Sequence, residues 1–364
     1  TDNCLELAKH SSRIAVKTEV WDRDPWLLNT PAGCVDLRTG RRRPARAEDL
    51  CQLVTGAPVD LRAAAPRWLQ FLNEVFPSDP ALVDYLQRWL GYSLTGDVRE
   101  QVFVLLLGTG ANGKSLLLAV LNFVLGSYAY VAPFSTFIRQ RQEGGNVASP
   151  ELAALVGKRL VTASESCEAA RLDEGRIKSL TGGDTITARH LFAKAFSFDP
   201  VGKITLAANH RPPVTDDSQA FWRRCHVVPF RESFTGDRAD RTLLDQLKGE
   251  ASGILNWLIA GCLAWQQHGL LPPRAVQLAS TAYRAANDPL AGFLADCSDD
   301  HAAPDDWVLV RDAFKAYRQW AEREGFGDKD RLKPRAFAER LGERFGPFHH
   351  RTGSAVRGLK LVTL

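Results

Sequence analysis

The segment GTGANGKS at positions 108–115 contains the residue types that hold the phosphates of a nucleotide. It matches the pattern G-x-x-x-x-G-K-[ST], with an apolar strand-like run before it and a helical run after it. Glycines in such a turn let several backbone N–H groups converge on phosphate oxygens at the positive end of the helix dipole. We expect Lys114 to reach the β and γ phosphates of ATP and the Ser115 hydroxyl to ligate Mg²⁺. The predicted nucleotide-binding residues are Gly108, Gly110, Ala111, Asn112, Gly113, Lys114 and Ser115.

A carboxylate lies at the end of a second apolar run, GKRLVTASES. P-loop domains place an acid at this point, where it assists Mg²⁺ and polarises the attacking water. We predict Glu165 as the general base and, with Ser115, as part of the metal site; an N-cap role for Glu165 is the alternative. A third apolar run, KITLAANHRP, ends at Asn209, and we expect this amide to hold the attacking water opposite Glu165.

Two stretches rich in cations complete this set of motifs. SLTGGDTITARHLFAKAFSF carries Arg189, His190 and Lys194 around a Gly-Gly turn and two strand-like runs. AFWRRCHVVPF places Arg223 and Arg224 immediately before a strand. A paired arginine at a domain edge can act as an arginine finger, whose planar fork neutralises charge on a neighbour's γ-phosphate. Ordinary surface charge is the alternative for each of these residues taken singly.

The elements that must position these residues alternate along the middle of the chain. From about 101 to 232, apolar strand-like runs alternate with helical stretches, which predicts an α/β domain with a mostly parallel sheet. Residues 1–60 combine short strand-like runs with turns, and residues 240–295 predict helices. Residues 66–96 predict two amphipathic helices, because apolar side chains recur there at helical spacing. The core-facing stripe of the first of these helices consists of Trp68, Phe71, Leu72 and Val75.

The order of these motifs resembles the superfamily 3 helicases, in particular the C-terminal half of phage and plasmid primase-helicases, which are related to the poxvirus-type enzyme. The motifs are GTGANGKS, RLVTASE, the GGDTITARHLF segment, LAANHRP and FWRR, in this order over about 115 residues. DPWLLNTPAGCVDLRTG and LQRWLGYSLTGD resemble the small domain that precedes the motor in that family.

The resemblance implies a division of the chain into four parts. An α/β P-loop NTPase core (AAA+-like) is expected at 101–235, after an N-terminal helical and strand accessory domain, an α+β arrangement, at 1–100. A helical region is expected to pack on the core at 236–298, followed by a winged-helix-like basic domain at 299–364. The same family often carries an N-terminal primase domain, which has no counterpart in this sequence and is a further expected partner.

The resemblance also implies roles for the residues of the motifs. Glu165 becomes the catalytic acid and Asn209 the polar sensor of the nucleotide. Arg224, with Arg223 as second choice, becomes a finger acting in trans between subunits of a hexameric ring.

The GGDTITARHLF segment is implied to form a hairpin facing DNA in the channel of that ring. Lys194, His190 and Arg189 are the strand contacts that this comparison suggests.

The end of the chain is basic. Residues 305–364 hold thirteen lysines and arginines against nine acidic residues, which equals the formal net charge of +4 for the whole chain. Two amphipathic helical patterns and the hairpin-like HHRTGSAVRGLKLVTL resemble a winged helix. Arg335 on the second helix and Arg351 in the hairpin are candidate phosphate contacts, because DNA backbones attract such cations. A structural cap is the alternative.

Composition excludes several classes of protein. Seven cysteines without a C-x-x-C pair argue against a disulfide framework and against a zinc site. No run reaches the roughly 18 apolar residues of a spanning helix, so we expect no membrane partner and a cytoplasmic location. The chain contains no methionine, not even at position 1, and we expect it to be a fragment.

These observations predict an ATP-dependent DNA helicase of phage or plasmid replication that acts on single-stranded and forked DNA. A small-molecule P-loop kinase is one alternative, against which stand the depth of the phosphate loop in the chain, the Asn209 strand, the paired arginines and the basic tail. A DNA-binding replication-initiator scaffold with slow ATPase is the other. Glu165 argues for turnover, but no sequence feature separates fast from slow hydrolysis.

Overall fold

A computed structural model of the chain describes residues 20–139, 149–165, 171–214, 218–299, 301–325 and 331–362. These residues form two compact units. The first comprises the described residues up to Pro213 together with Ser218–Ser280, and the second comprises Val214 and the described residues from Thr281 onward. Cys4 and Cys167 lie outside the described residues, and the other five cysteines are free thiols.

The first unit begins with a three-stranded antiparallel sheet. Its strands β1 (Leu27–Thr30), β2 (Gly33–Asp36) and β3 (Arg41–Arg43) lie in the order β1-β2-β3. The strand-like runs in DPWLLNT and GCVDLRTG thus form β1 and β2, as predicted.

Two amphipathic helices follow, α1 (Pro66–Val75) and α2 (Pro80–Tyr92). Proline occupies the first position of both helices, where its missing N–H costs nothing, and the Asp79 side chain accepts a hydrogen bond from the Leu82 N–H as the N-cap of α2. All four residues of the predicted stripe of α1 are buried, so that prediction is confirmed.

Strands and helices then alternate along the chain. In order they are β4 (Phe103–Leu107), α3 (Lys114–Leu125), β5 (Ala129–Val131), α4 (Pro150–Ala153), β6 (Leu160–Ser164), α5 (Glu174–Gly182), β7 (Ile186–Ala188), β8 (Phe196–Phe198), β9 (Lys203–Ala208), α6 (Gln219–Trp222) and β10 (Cys225–Pro229).

Five of these strands form one parallel sheet in the order β10-β4-β9-β6-β5. Every residue of β9 is buried, as in a parallel sheet covered on both faces. The predicted α/β domain with a parallel sheet is therefore confirmed. The carboxyl ends of β4, β6 and β9 meet at one edge, and β9 lies between the other two.

The segment FSFDPVGKITLAAN contains two strands that belong to different sheets. β8 pairs with β7 in a separate antiparallel hairpin, and only β9 joins the parallel sheet. Pro200 and Gly202 lie between them, and proline cannot donate to a ladder. A Cβ at Gly202 would lie 2.8 Å from Val161 Cγ2, so the chain passes close to β6 at this turn.

Two buried cations join the N-terminal part of this unit to the parallel sheet. Arg159 donates to the carbonyl oxygens of Leu94 and Leu27 at 2.7 and 2.9 Å. Lys203 Nζ donates to the carbonyl oxygens of Thr95 and, at 2.7 Å, Val201. Burial lowers the pKa of both side chains, and the carbonyl dipoles replace the water that these charges have lost.

Three helices complete the first unit: α7 (Leu243–Gly249), α8 (Ala251–His268) and most of α9 (Arg274–Ala286), which crosses the border between the units after Ser280. Helix α8 packs tightly against α2. A Cβ at Gly91 would lie 2.1 Å from the Cys262 nitrogen, and one at Gly261 would lie 2.0 Å from the Gln87 oxygen. The two glycines therefore set the distance between the helices.

The second unit contains α10 (Pro289–Cys297), β11 (Trp307–Leu309), α11 (Val310–Arg323), α12 (Pro334–Arg344), β12 (Gly346–His350) and β13 (Gly353–Arg357). Its strands form an antiparallel sheet in the order β11-β13-β12. Phe293, Tyr317, Phe337 and Val356 belong to its hydrophobic core. The predicted helices and hairpin are confirmed, although residues 307–309 form a strand ahead of the first predicted helix.

No helix in the described part of the chain is long and apolar enough to cross a membrane. The location of the protein stays a prediction, as does the four-part division at residues 100, 235 and 298.

Candidate active site

The glycine-rich segment connects the end of β4 to the start of α3, at the edge where three strands end. Gly110 and Gly113 have φ of +99° and +87°, which glycine adopts without strain, and Gly113 is the N-cap of α3. A Cβ at Gly108 would lie 2.3 Å from the Phe230 oxygen, so the loop passes against the end of β10. The loop therefore turns sharply into a helix N-terminus whose first N–H groups have no partner within the helix.

Lys114 lies at the centre of this loop and is only 4% exposed. Its ammonium group donates to the Gly108 carbonyl at 2.6 Å, to Asn112 Oδ1 at 2.9 Å and to Asn209 Oδ1 at 3.2 Å. Burial lowers its pKa, and the nearby charge of Glu165 acts in the opposite direction. Three oxygen atoms of the chain itself thus surround a partly desolvated cation.

Glu165 and Asn209 lie side by side at the ends of β6 and β9. Glu165 Oε2 accepts hydrogen bonds from the backbone N–H groups of Asn209 at 2.9 Å and His210 at 3.4 Å. Because the Asn209 side chain also contacts Lys114, the three residues form one connected group. The structure brings together the lysine, the carboxylate and the amide that the sequence singles out. Their catalytic roles remain predictions.

These residues fit a nucleotide. No heavy atom lies within 4 Å of a Cβ built at Gly110, so the loop is open to the outside there. Asn112 Nδ2 is buried without a hydrogen-bond partner in the described residues, although the same amide holds Lys114 through its oxygen. An unpartnered donor next to a buried cation and a helix N-terminus suits an anion with several oxygens, such as a triphosphate.

The residues that could hold Mg²⁺ are few. Ser115 is exposed in the first turn of α3, as its predicted contact with the metal requires. Glu165 already accepts two backbone hydrogen bonds, so it fits a carboxylate that acts through water. Among the described residues, no cluster of three His, Cys, Asp or Glu side chains could hold a metal ion without the nucleotide. A Mg²⁺ ion here would therefore take its remaining ligands from phosphate and water.

The paired arginines lie at the opposite end of the sheet from the loop. They precede β10, which runs parallel to β4 with Cys225 opposite Phe103 and Pro229 opposite Leu107. Five residues of strand span about 17 Å, which exceeds the reach of an arginine side chain. Neither arginine can therefore reach a nucleotide held by the loop of its own chain, so a finger role would require an interface with a second chain.

The two arginines differ in their exposure. Arg224 is 9% exposed, donates to the Ala220 carbonyl at 2.5 Å, and has a buried Nε without a partner in the described residues. Burial also lowers its pKa. Arg223 is exposed and donates to Gln101 Oε1 at 2.8 Å. Of the two arginines only Arg223 is exposed, and the choice between them as a finger stays a prediction in which the sequence prefers Arg224.

The cationic segment after the Gly-Gly turn forms the hairpin β7–β8, as the sequence predicts. The His190 ring stacks on Phe196 with centroids 5.5 Å apart. Lys194 is exposed in the connecting loop, whereas Arg189 is half-buried, with its backbone bonded to Ser149. Contact of these residues with DNA stays a prediction.

The loop of this hairpin also carries residues that the sequence reading does not single out. Leu191 is 63% exposed and Phe192 is fully exposed, with a φ of +60° that side chains rarely adopt. The sequence does contain a feature that could have identified them, because this apolar pair lies between cationic residues inside a predicted hairpin. A strained, exposed aromatic at a tip is a candidate contact for a base or an apolar partner.

The cations of the second unit are unequally available. Arg335 pairs with Glu339 at 2.9 Å on α12, and Arg344 pairs with Asp288. Arg351, in the β12–β13 turn, is exposed and has no ion pair with a described residue. Arg335 and Arg351 remain predicted DNA contacts. A phosphate that binds Arg335 would have to displace Glu339, whereas a phosphate that binds Arg351 would displace no carboxylate.

Comparison with protein families finds two matches. Residues 1–77 match the family described as D5 N terminal like. Residues 106–224, which include the loop, Glu165, Asn209 and both arginines, match a family of unknown function named DUF5906.

Similar proteins come from viruses. A candidate helicase of Acanthamoeba polyphaga mimivirus is 28% identical over 320 residues, covering 82% of this chain and 33% of the relative. A candidate helicase of Frog virus 3 is 28% identical over 281 residues, covering 72% of this chain and 28% of the relative. A candidate primase of African swine fever virus is 23% identical over 156 residues, covering 43% of this chain and 16% of the relative. The chain thus spans a third or less of the length of these relatives.

The chain shares its fold with a solved structure. The apo A form of the C-terminal region of NrS-1 superposes with a TM-score of 0.53 at 14% sequence identity. The match covers 81% of this chain and 69% of that one.

Proposed function

Since this chain is a relative of phage and viral primase-helicases, we propose that it is an ATP-driven motor that translocates on single-stranded DNA during replication. The observation that carries the proposal is the contact between Lys114, Asn209 and Glu165 at the ends of three parallel strands. ATP and Mg²⁺ are the proposed cofactors.

The chain's own residues support hydrolysis as follows. Bound ATP with Mg²⁺ supplies the phosphoanhydride and the metal charge on its phosphates. Lys114 exchanges its carbonyl and amide partners for phosphate oxygens and keeps its charge in a site with little water. Asn209 Oδ1, released from Lys114, is free to orient a water molecule. Glu165, fixed by two backbone N–H groups, accepts the proton of that water.

The position of Arg223 supports hydrolysis between subunits. An exposed guanidinium at the far edge of the sheet meets a nucleotide only if a second copy of the chain places its loop there. Repetition of this head-to-tail contact closes into a ring. We propose that the chain forms a homo-oligomeric ring with forked DNA at its channel. The resemblance to superfamily 3 helicases suggests that this ring has six subunits.

Two finer assignments of fold belong to this proposal. The strand of Asn209 lies between those of the loop and Glu165, which supports an AAA+-like core. In the second unit the order helix, strand, helix, helix, strand, strand, with a hairpin after α12, supports a winged-helix-like domain.

Two substitutions test the hydrolytic site. Lys114→Ala should abolish ATP hydrolysis, because it removes the charge that pairs with the β and γ phosphates. Glu165→Gln should bind ATP normally and lower the rate at least about 100-fold, because it removes only the base. ATP binding by calorimetry and phosphate release with and without single-stranded DNA separate the two effects.

Glu48→Gln, an exposed acid outside the site, serves as the control and should behave as the wild type. Full turnover by Glu165→Gln would remove Glu165 from the mechanism. Strong DNA binding with negligible ATP hydrolysis in the wild type would instead favour an initiator scaffold.

A further inference from the structure

The outer face of the sheet in the second unit carries a group of aromatic rings that is not part of the hydrophobic core. Residues directly opposite each other in antiparallel strands share a face of the sheet. Val308 and Val356 are opposite each other and face the core. Their neighbours Trp307 and Arg357, also opposite each other, therefore point outward.

The outward rings contact each other instead of lying singly. The Trp307 ring stacks on His350 with centroids 4.5 Å apart and an angle of 27° between the planes. The Phe348 ring meets Trp307 edge to face at 6.1 Å, and the Arg357 guanidinium lies over Phe348 at 4.7 Å. We call these four residues the stacking face.

The stacking face is accessible. Trp307 is 45% exposed, although a tryptophan of this size normally gains stability when it is buried. Arg357 is exposed and has no ion pair with a described residue. A large exposed aromatic beside a free cation indicates a binding surface.

The charge and chemistry of this surface fit one class of partner. Arg357 lies over one of the rings, and Arg351 occupies the exposed turn that directly follows His350. Single-stranded nucleic acid offers flat bases that stack on aromatic rings and phosphates that pair with arginine. In a duplex the base faces are covered by their neighbours, so a stacking face has nothing to bind there.

Helix α12 of the second unit is less suited to binding the phosphates of DNA. Two arginines of α12, Arg335 and Arg344, already pair with carboxylates. Binding of phosphate at these positions would first have to break the pairs.

We infer that the stacking face binds unpaired bases of single-stranded DNA, with Trp307 as the platform and Arg351 and Arg357 as phosphate contacts. The inference deepens the proposed DNA binding, on which it rests, by assigning the form of DNA and the site. It predicts that this unit holds a strand that has already been separated.

The test measures binding of the full chain to a fluorescent oligothymidine and to a duplex of equal length. Trp307→Ala should weaken binding of the oligothymidine about 10-fold and leave duplex binding unchanged. Trp307→Phe should restore most of the affinity, because the ring is kept. An oligonucleotide with abasic sites should bind the wild type as weakly as the oligothymidine binds Trp307→Ala.

A tryptophan of similar exposure outside the sheet provides the matched control. Trp21 is 37% exposed, and Trp21→Ala should bind both DNAs as the wild type does. Arg357→Ala should remove about one phosphate contact. The slope of log K against log salt concentration should therefore change by about 0.7. Because Arg357 is exposed, this variant keeps the test available if Trp307→Ala does not fold.

The inference would be overturned if a folded Trp307→Ala protein bound oligothymidine as tightly as the wild type does. It would also be overturned if this substitution weakened binding of the oligothymidine and of the duplex equally. If Phe192→Ala alone lowers the affinity, the hairpin carries the strand, and the proposed motor stands without the stacking face. If Trp307→Ala weakens oligothymidine binding as predicted but the wild type hydrolyses no ATP, the stacking face is supported and the proposed motor function is wrong.

Discussion

At the scale of a single residue, the half-buried His226 makes the stability of the fold depend on pH. Its Nδ1 lies 2.7 Å from the hydroxyl of Tyr85, and burial lowers its pKa to about 4. The neutral ring is therefore the form that the folded chain accommodates. An unfolded chain would protonate the same ring near its ordinary value of about 6.5.

We predict that the free energy of unfolding falls by about 3 kcal/mol on this account as the pH drops from about 6.5 to about 4. The sign follows because the unfolded state takes up the proton first, so acid favours unfolding in this window. Urea unfolding at a series of pH values should show a shallower pH dependence for His226→Gln than for the wild type. His268→Gln, at the exposed end of α8, is the control, and identical slopes for wild type and His226→Gln would disprove the assignment.

At the scale of elements, the crossing of α2 and α8 depends on two residues without side chains. Gly91 lies against the backbone of Gly261 and Cys262, and Gly261 lies against the backbone of Gln87. Helix backbones that approach this closely leave no room for a methyl group, and neither can shift without disturbing the core that Trp89 and Leu258 share.

Gly91→Ala should therefore lower the free energy of unfolding by about 3 kcal/mol, in spite of the better helix propensity of alanine. Gly249→Ala provides the contrast, because no heavy atom lies within 4 Å of the added Cβ and α7 gains propensity. Thermal unfolding followed by circular dichroism compares the variants. A melting temperature for Gly91→Ala at or above that of Gly249→Ala would show that the helices can move apart.

At the scale of the whole molecule, the sheet separates the nucleotide loop from the paired arginines by the length of a strand. If Arg223 acts as the proposed finger, the two parts of one hydrolytic site come from different subunits. Activity should then depend on which subunits meet at an interface.

Lys114→Ala and Arg223→Ala should each be nearly inactive alone, and a mixture of the two should recover part of the ATPase rate. The recovery arises where a subunit with an intact Lys114 meets a neighbour with an intact Arg223. Arg241→Ala, an exposed arginine elsewhere, should be active alone. Native mass spectrometry confirms subunit exchange, and a mixture no faster than the sum of its components would favour a monomeric enzyme such as a small-molecule kinase.

Much of the site can be read from local sequence. The glycine pattern of the loop, and polar residues at the ends of apolar runs, predict Lys114, Glu165 and Asn209, because parallel strands bring their carboxyl ends to one edge. The core stripe of α1 and the β7–β8 hairpin are equally local. These features follow from patterns within a few turns of helix or a few residues of strand.

Other features depend on residues far apart in the sequence. Arg223 meets Gln101 across 122 positions while Arg224 turns inward, and two identical neighbours thus acquire opposite exposure. Asp288 engages Arg344 across 56 positions, which decides which cations of the tail remain free. The sequence by itself determined the residue types and the strand ends that form the site. Only the tertiary structure decided which charges are buried, paired or open to a partner, because burial and pairing depend on elements that the chain brings together from a distance.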